Sequence, residues 1–176
     1  MSEFQDRYEI EYLHSLFAHA ADRADYELLR SLYTDDATDD HGAYSGPVDG
    51  YIEWVKDIHQ NFDILSHIES KPLIFIDGDT AESEIKSHVY IGLKGPPPRN
   101  TFGISRIFDT YRRTAQGWRF TSRAICADWF GPEFEPAAPM SGVGLRGTMG
   151  PDDPFFTEVP RLAEALRGFA SRKQGD

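Results

Sequence analysis

The periodicity of this chain predicts an α+β fold: three helices, then four antiparallel strands, then an irregular tail. Two observations carry the prediction. In the first sixty or so residues, apolar side chains recur at helical spacing. After Asn61 the period changes, and Ile, Val and Phe alternate with polar residues as in strands packed on one face. Helices segregated to one face of a curved sheet make a two-layer architecture. A ligand site is expected in the pocket between the layers.

In chain order, Ile10, Leu13, Leu16, Phe17, Ala20 and Ala21 form one stripe of a helix over Phe4 to Ala21. A second, short helix is expected over Tyr26 to Leu32, packed down by Leu28, Leu29 and Leu32, with Asp25 or Asp22 as its cap. Pro47 to Phe62 reads as a third helix: Pro47 suits a first turn, and Tyr51, Trp54, Val55 and Ile58 make its apolar face. Leu65 to Asp77 is then an extended segment, turned by Asp77-Gly78-Asp79 into a strand over Thr80 to Leu93. In that strand Ala81, Ser83, Ile85, Ser87, Val89 and Ile91 share the inner face. Gly95-Pro96-Pro97-Pro98 is a stiff loop, and Thr101 to Arg113 with Trp118 to Phe130 form a long hairpin. The expected division is one domain over 1–135 and an irregular tail over 136–176, packed on the same body, with a short helix near Arg161 to Ala170.

A length of 176 residues fits one domain, and 40% hydrophobic and 13% aromatic residues are those of a chain with a packed core. The net charge of −11 argues against binding nucleic acid or an anionic membrane. A single cysteine, Cys126, excludes an intrachain disulfide and fits a reducing compartment. The first twenty residues lack a basic and an apolar region of signal-peptide type, and no apolar run approaches a membrane span, so a cytoplasmic protein is expected.

Asp22 falls where the first helix ends. The macrodipole disfavours a negative charge there, so its carboxylate calls for a partner. His67, in Leu65-Ser66-His67-Ile68, opens an otherwise core-building strand. It is either a satisfied structural residue or a general base, with a carboxylate fixing its tautomer and balancing the imidazolium. Arg106 shares a strand face with Phe102, Ile104 and Phe108; it is either ion-paired, with Asp128 as partner, or an anchor for a substrate oxygen. Tyr33, His41 and Tyr44 can supply phenol and imidazole donors to the same cavity. The run Asp35, Asp36, Asp39, Asp40, His41 invites a metal reading, but its spacing fits no calcium loop, and a solvated acidic turn is expected instead. The chain has no GxGxxG, P-loop, GxSxG or CxxC motif, and no metal or cofactor is expected.

Taken together, Ala21-Asp22-Arg23-Ala24-Asp25-Tyr26, Leu32 to Ala37, Asp39-Asp40-His41-Gly42, Tyr44-Ser45-Gly46, Ser66-His67, Ile76 to Ala81, Arg106 to Arg113 with Gly117-Trp118, and Asp128-Trp129 form a pattern. It resembles the SnoaL-like branch of the nuclear transport factor 2-like superfamily over about residues 5 to 130. The resemblance implies a conical α+β barrel of cystatin-like type, its curved sheet wrapped around the N-terminal helices, and a homodimer or homotrimer. Within the superfamily the chain is most similar to scytalone dehydratase, hexachlorocyclohexane dehydrochlorinase and bile acid 7α-dehydratase. Their Asp–His dyad falls by motif position on Asp22 and His67. Arg106, Tyr44, His41, Tyr33 and Trp129 are then the expected substrate contacts. Two contacts of scytalone dehydratase differ: its tyrosine falls near His41, and its second pocket histidine near Ile85.

The implied activity is a cofactor-free elimination on a hydrophobic cyclic or aromatic molecule such as a steroid, polyketide or lignin-derived phenol. Two other readings stay open: proton transfer without loss of a group, as in ketosteroid isomerases and polyketide cyclases, or a non-catalytic binding role like that of dioxygenase β-subunits.

Overall fold

In the computed structural model, which describes residues 2–135 and 147–170, seven strands form one curved sheet and the helices cover its concave face. Helix α1 spans Glu3–Asp22 and α2 spans Tyr26–Ser31. Strands β1 (Tyr33–Asp40) and β2 (Ser45–Pro47) lead into α3 (Val48–His59). They are followed by β3 (Phe62–Glu69), β4 (Leu73–Asp77), β5 (Thr80–Leu93), β6 (Arg99–Thr114) and β7 (Gly117–Phe130). After the tail come α4 (Phe155–Glu158) and α5 (Pro160–Ala170). Among the described residues no helix is long and apolar enough to cross a membrane.

The strand order is β2-β1-β7-β6-β5-β3, with β4 sharing the outer edge of β5 beside β3. All neighbours are antiparallel except β1 and β7, which run parallel. The sheet curls but does not close, so the barrel implied by the resemblance is an open one.

The core lies where α1, α2 and α3 meet the inner face. Ile10, Leu13, Leu16, Phe17, Leu28, Leu29 and Leu32 are buried there with Tyr51, Val55, Trp118 and Phe120. Each such side chain removed from water contributes roughly 1.5–3 kcal/mol. The turn after α1 is a Schellman motif: Asp25 N–H donates to the Ala20 carbonyl at 2.9 Å, and Ala24 N–H to that of Ala21 at 3.2 Å. Ala24 takes φ +56°, a place usually given to glycine. Asp25 then caps α2 through Leu28 N–H at 3.0 Å, which leaves the Asp22 carboxylate for other work.

Three expectations are corrected. The acidic run is strand β1, not a solvated turn: Ala37 and Asp39 face inward in alternation with Asp36, Thr38 and Asp40. Asp and Thr-rich strands are easily missed because their intrinsic preference is weak, and burial here comes from a side-chain partner for Asp39. Leu65 to Asp77 is two strands, broken at Ser70-Lys71-Pro72, where Pro72 has no N–H for the ladder. The third helix starts at Val48, with Pro47 outside it as the cap residue.

Behind the cavity a buried charged layer joins helix to sheet. Arg123 donates to Asp109 at 2.8 and 3.1 Å and lies over the rings of Phe17 and Phe120, at 3.8 and 4.5 Å. Burial opposes its charge, and Asp109 and Glu69 outweigh that cost. His14 bridges Glu69 (3.1 Å) and the Tyr111 hydroxyl (2.7 Å), so α1 is tied to β3 and β6 by side-chain hydrogen bonds as well as by packing.

The described part of the tail, 147–170, docks on the α1–α2 turn. Gly150 N–H donates to the Arg23 carbonyl at 2.8 Å, the Arg23 side chain reaches Asp153 at 3.3 Å, and α5 packs on α2 through Ala163 and Leu166. The expected irregular segment over 136–146 and the last six positions lie outside the described residues.

Candidate active site

Asp22 ends α1, and the Schellman turn directs its carboxylate at β3. Both carboxylate oxygens accept the His67 main-chain N–H, each at 3.1 Å, and Oδ1 receives His67 Nδ1 at 2.7 Å. A carboxylate held this way satisfies the strand edge and orients the ring together. With Nδ1 engaged, Nε2 is the nitrogen left to the cavity. The edge of the ring meets Phe17, 6.4 Å between centroids, which blocks rotation on that side. Both side chains are mostly buried, 17% exposed for Asp22 and 18% for His67.

The cavity that His67 faces has a volume of about 280 Å³. It lies between α1, α3 and the inner sheet face, walled by Phe17, Tyr51, Trp54, Phe62, Ile107 and Phe130. Its polar lining consists of His41, His59 and His67 with the buried serines Ser87 and Ser105. Apolar walls with a few convergent polar groups are the usual construction of a small-molecule site.

His41 is held in the same manner as His67 by a different carboxylate. Its Nδ1 contacts Asp39 Oδ1, and its ring stacks on Tyr51 at 4.7 Å. Asp39 is buried and also accepts the Tyr33 hydroxyl at 2.7 Å. Burial and the Asp39 charge push the phenols of Tyr33 and Tyr51 well above their ordinary value, so both stay protonated.

His59, the last residue of α3, shares a 3.3 Å hydrogen bond between its Nδ1 and the Tyr26 hydroxyl. Burial, followed by repulsion from His67, lowers its pKa to about 4. The fold therefore favours the neutral ring. Its contribution is complete above the ordinary value of 6.5 and is lost as the pH falls from there through about 4. His59→Phe is expected to flatten the fall of the urea midpoint across that window, read by urea titrations at several pH values between 6.5 and 4.

The other expected contacts sit elsewhere. Ser105, Ile107 and Asp109 point inward, so Arg106 faces out, 38% exposed and paired with Asp128 at 2.8 Å. That is the structural ion pair. Trp129 is also outside, 51% exposed. A bulge between Ile104 and Ser105 leaves Asp128 as the extra residue and reverses the alternation beyond it, so Phe130 turns in where Trp129 was expected. Tyr33 is fully buried behind His41 and does not line the cavity. Tyr44 stands one layer back: its hydroxyl donates to the Pro47 carbonyl at 2.6 Å, and its ring stacks on Trp54 and covers Gly50, where any side chain would collide with it.

Four contributors escape a reading by residue type: Asp39, His59, Ser87 and Ser105. Asp39 has no signal of its own in a run of acids, because its burial shows only once β1 is paired. Ser87 is in phase with the inner face of β5 and needed only the cavity to give it meaning, whereas Ser105 lies on the face of β6 opposite to the one expected to line the pocket.

The comparisons agree with this architecture. The chain belongs to the SnoaL-like domain family, whose model matches residues 2–124. An uncharacterized protein of Mycobacterium tuberculosis is 28% identical over 127 residues, 70% of this chain and 86% of that protein. Among solved structures, a hexachlorocyclohexane dehydrochlorinase superposes with a TM-score of 0.71 at 17% identity, covering 80% of this chain and 97% of its own. A candidate scytalone dehydratase of Novosphingobium aromaticivorans gives 0.61 at 21% identity, covering 81% and 95%. At these identities the structural likeness shows a shared fold.

Proposed function

We propose that the protein is a cofactor-independent lyase that eliminates a group from a small hydrophobic cyclic substrate, with His67 as base and Asp22 as its orienting counter-charge. The observation that carries this reading is the 2.7 Å Nδ1–Oδ1 pair opening on an apolar cavity. With the Nδ1 proton directed at Asp22, the Nε2 lone pair faces the substrate. It removes a proton from a carbon made acidic by a neighbouring carbonyl or ring, the imidazolium is balanced by Asp22, and the leaving group departs from the adjacent carbon. General base catalysis contributes roughly 10²–10⁴-fold. The remainder comes from holding the reacting bonds in line inside a water-poor site.

The dehydrochlorinase and dehydratase named among the structural neighbours support a group-losing reaction over simple proton transfer. Cavity size narrows the substrate class. About 280 Å³ lies just below the usual range of roughly 300–1,000 Å³ for ligand sites. That suits one or two fused rings of polyketide or phenolic type and is short for the four rings of a steroid. The expected homodimer or homotrimer would bury the outer sheet face, where Leu73, Phe75 and Phe108 stand exposed.

The test is product identity. Incubated with a panel of mono- and bicyclic β-hydroxy- and β-chloroketones, the protein is expected to release water or chloride and form the unsaturated ketone, seen by mass spectrometry. Products of unchanged mass would assign it instead to isomerisation or cyclisation. Binding without any conversion would assign it to the non-catalytic binding proteins of this fold.

A further inference from the structure

The cavity holds a second histidine–carboxylate pair, and we propose that His41, set by Asp39, is the general acid that protonates the leaving group opposite His67. The proposal rests on the elimination reading above and adds to it the residue that acts on the departing atom.

Three observations converge. First, His41 lines the same cavity as His67, so both rings reach one bound molecule. Second, its Nδ1 contacts a carboxylate that is 1% exposed and receives a second hydrogen bond from Tyr33 at 2.7 Å. A buried aspartate needs hydrogen bonds to compensate its charge, and the Nδ1–H of His41 supplies one. Asp39 thereby orients the ring with Nε2 turned away from it, and the stacked Tyr51, itself packed on Tyr33, fixes its plane. Third, the two pairs come from opposite ends of the sheet. His41 follows β1 and His67 lies on β3, with β7, β6 and β5 between them carrying the floor residues Ile125, Ile107, Ser105 and Ser87. A molecule on that floor has one histidine on each side.

The step balances without a further reactant. His67 Nε2 takes the proton from carbon, and the C–H electron pair becomes the new C=C bond. The adjacent C–O bond breaks, and its electron pair goes to oxygen, which takes the proton from His41 Nε2 and leaves as water. The 3.4 Å contact from the Tyr51 hydroxyl to that nitrogen is long enough for a substrate oxygen to replace it. His41 ends neutral with its remaining proton toward Asp39, His67 ends protonated, and exchange of one proton with solvent at each ring restores the start. Acid and base on opposite walls suit departure anti to the abstracted proton.

A general acid matters in proportion to how poor the leaving group is. The probes are a bicyclic β-hydroxyketone, which must lose hydroxide or water, and its β-chloro counterpart, which loses chloride unaided. For His41→Gln, turnover of the hydroxyketone is expected to fall by roughly 10²–10⁴-fold and that of the chloroketone by less than about tenfold. The surviving chloride release certifies that the variant is folded. His67→Gln is expected to lower both. If His67→Gln lowers both while His41→Gln lowers them by equal factors, the assignment of His41 is overturned and the base reading stands. If His67→Gln lowers neither, the base reading itself is overturned. A second measurement needs no turnover: ring ¹⁵N spectra of the wild-type protein titrated with naphthol as a product-like phenol. The His41 signals are expected to shift on saturation. Signals that stay unmoved at saturating naphthol overturn the proposal, whether or not those of His67 move.

Discussion

His67→Gln is expected to slow elimination by roughly 10²–10⁴-fold while leaving the unfolding midpoint close to that of the wild type. The main-chain N–H of residue 67 still bonds Asp22 in the variant, so the seam between α1 and β3 keeps its hydrogen bonds and only the base is lost. Asp22→Asn tests the other half of the pair. An asparagine can turn its N–H₂ toward Nδ1, which drives the ring proton onto Nε2 and leaves no lone pair facing the substrate. Its rate is therefore expected to fall nearly as far, although the substitution removes a single charge and changes the volume little. Initial rates with the best substrate of the ketone panel, read beside urea midpoints, separate loss of chemistry from loss of fold. A His67→Gln rate within about threefold of wild type would place the base elsewhere in the cavity, and neutral His59 would become the first residue to examine.

The second large effect concerns stability. Arg123→Met is expected to cost about 3–5 kcal/mol, because it leaves Asp109 buried with its main counter-charge gone. Both side chains of the pair are fully buried, and they hydrogen-bond at 2.8 Å. The variant also surrenders the guanidinium stacked on Phe17 and Phe120. Arg123→Met with Asp109→Leu should recover part of the loss, since Asp109 no longer stands without its counter-charge and Glu69 keeps its bond to His14; this non-additivity is the signature of a coupled pair. Urea unfolding of the single and double variants is the measurement. A single-variant cost below about 1 kcal/mol would mean that Asp109 is satisfied by Tyr111 and its other neighbours alone.

Most of the fold was legible because its elements bury one face with a clear period. The stripe of Ile10, Leu13, Leu16 and Phe17 and the alternation along β5 announce helix and strand independently of context. Strand β1 was not legible. Its inward residues include Asp39, whose burial depends on Tyr33 and His41, and no property of an aspartate in isolation reports that. The Asp22 and His67 pair was visible through position: a carboxylate at a helix end and a histidine opening a strand. Arg106 takes its ion-pair reading and Trp129 faces outward, both against the substrate contacts expected of them. Their side-chain direction depends on which face of β6 and β7 is concave and on the bulge at Asp128, and both are settled by pairing partners far away in sequence. Residue type identified the chemistry available, and strand register decided which of it reaches the cavity.

The open sheet has a further consequence for selectivity. His41 and His67 stand near its two margins, so the gap between them is a chord across a curved surface whose arc is five strands wide. That chord depends on twist, which bulges increase locally, and the ladders along the arc carry register irregularities in β1, β3, β6 and β7. The backbone therefore works as a calliper. Relatives could admit wider or narrower rings by gaining or losing one residue at a bulge, with every side chain that touches the substrate unchanged.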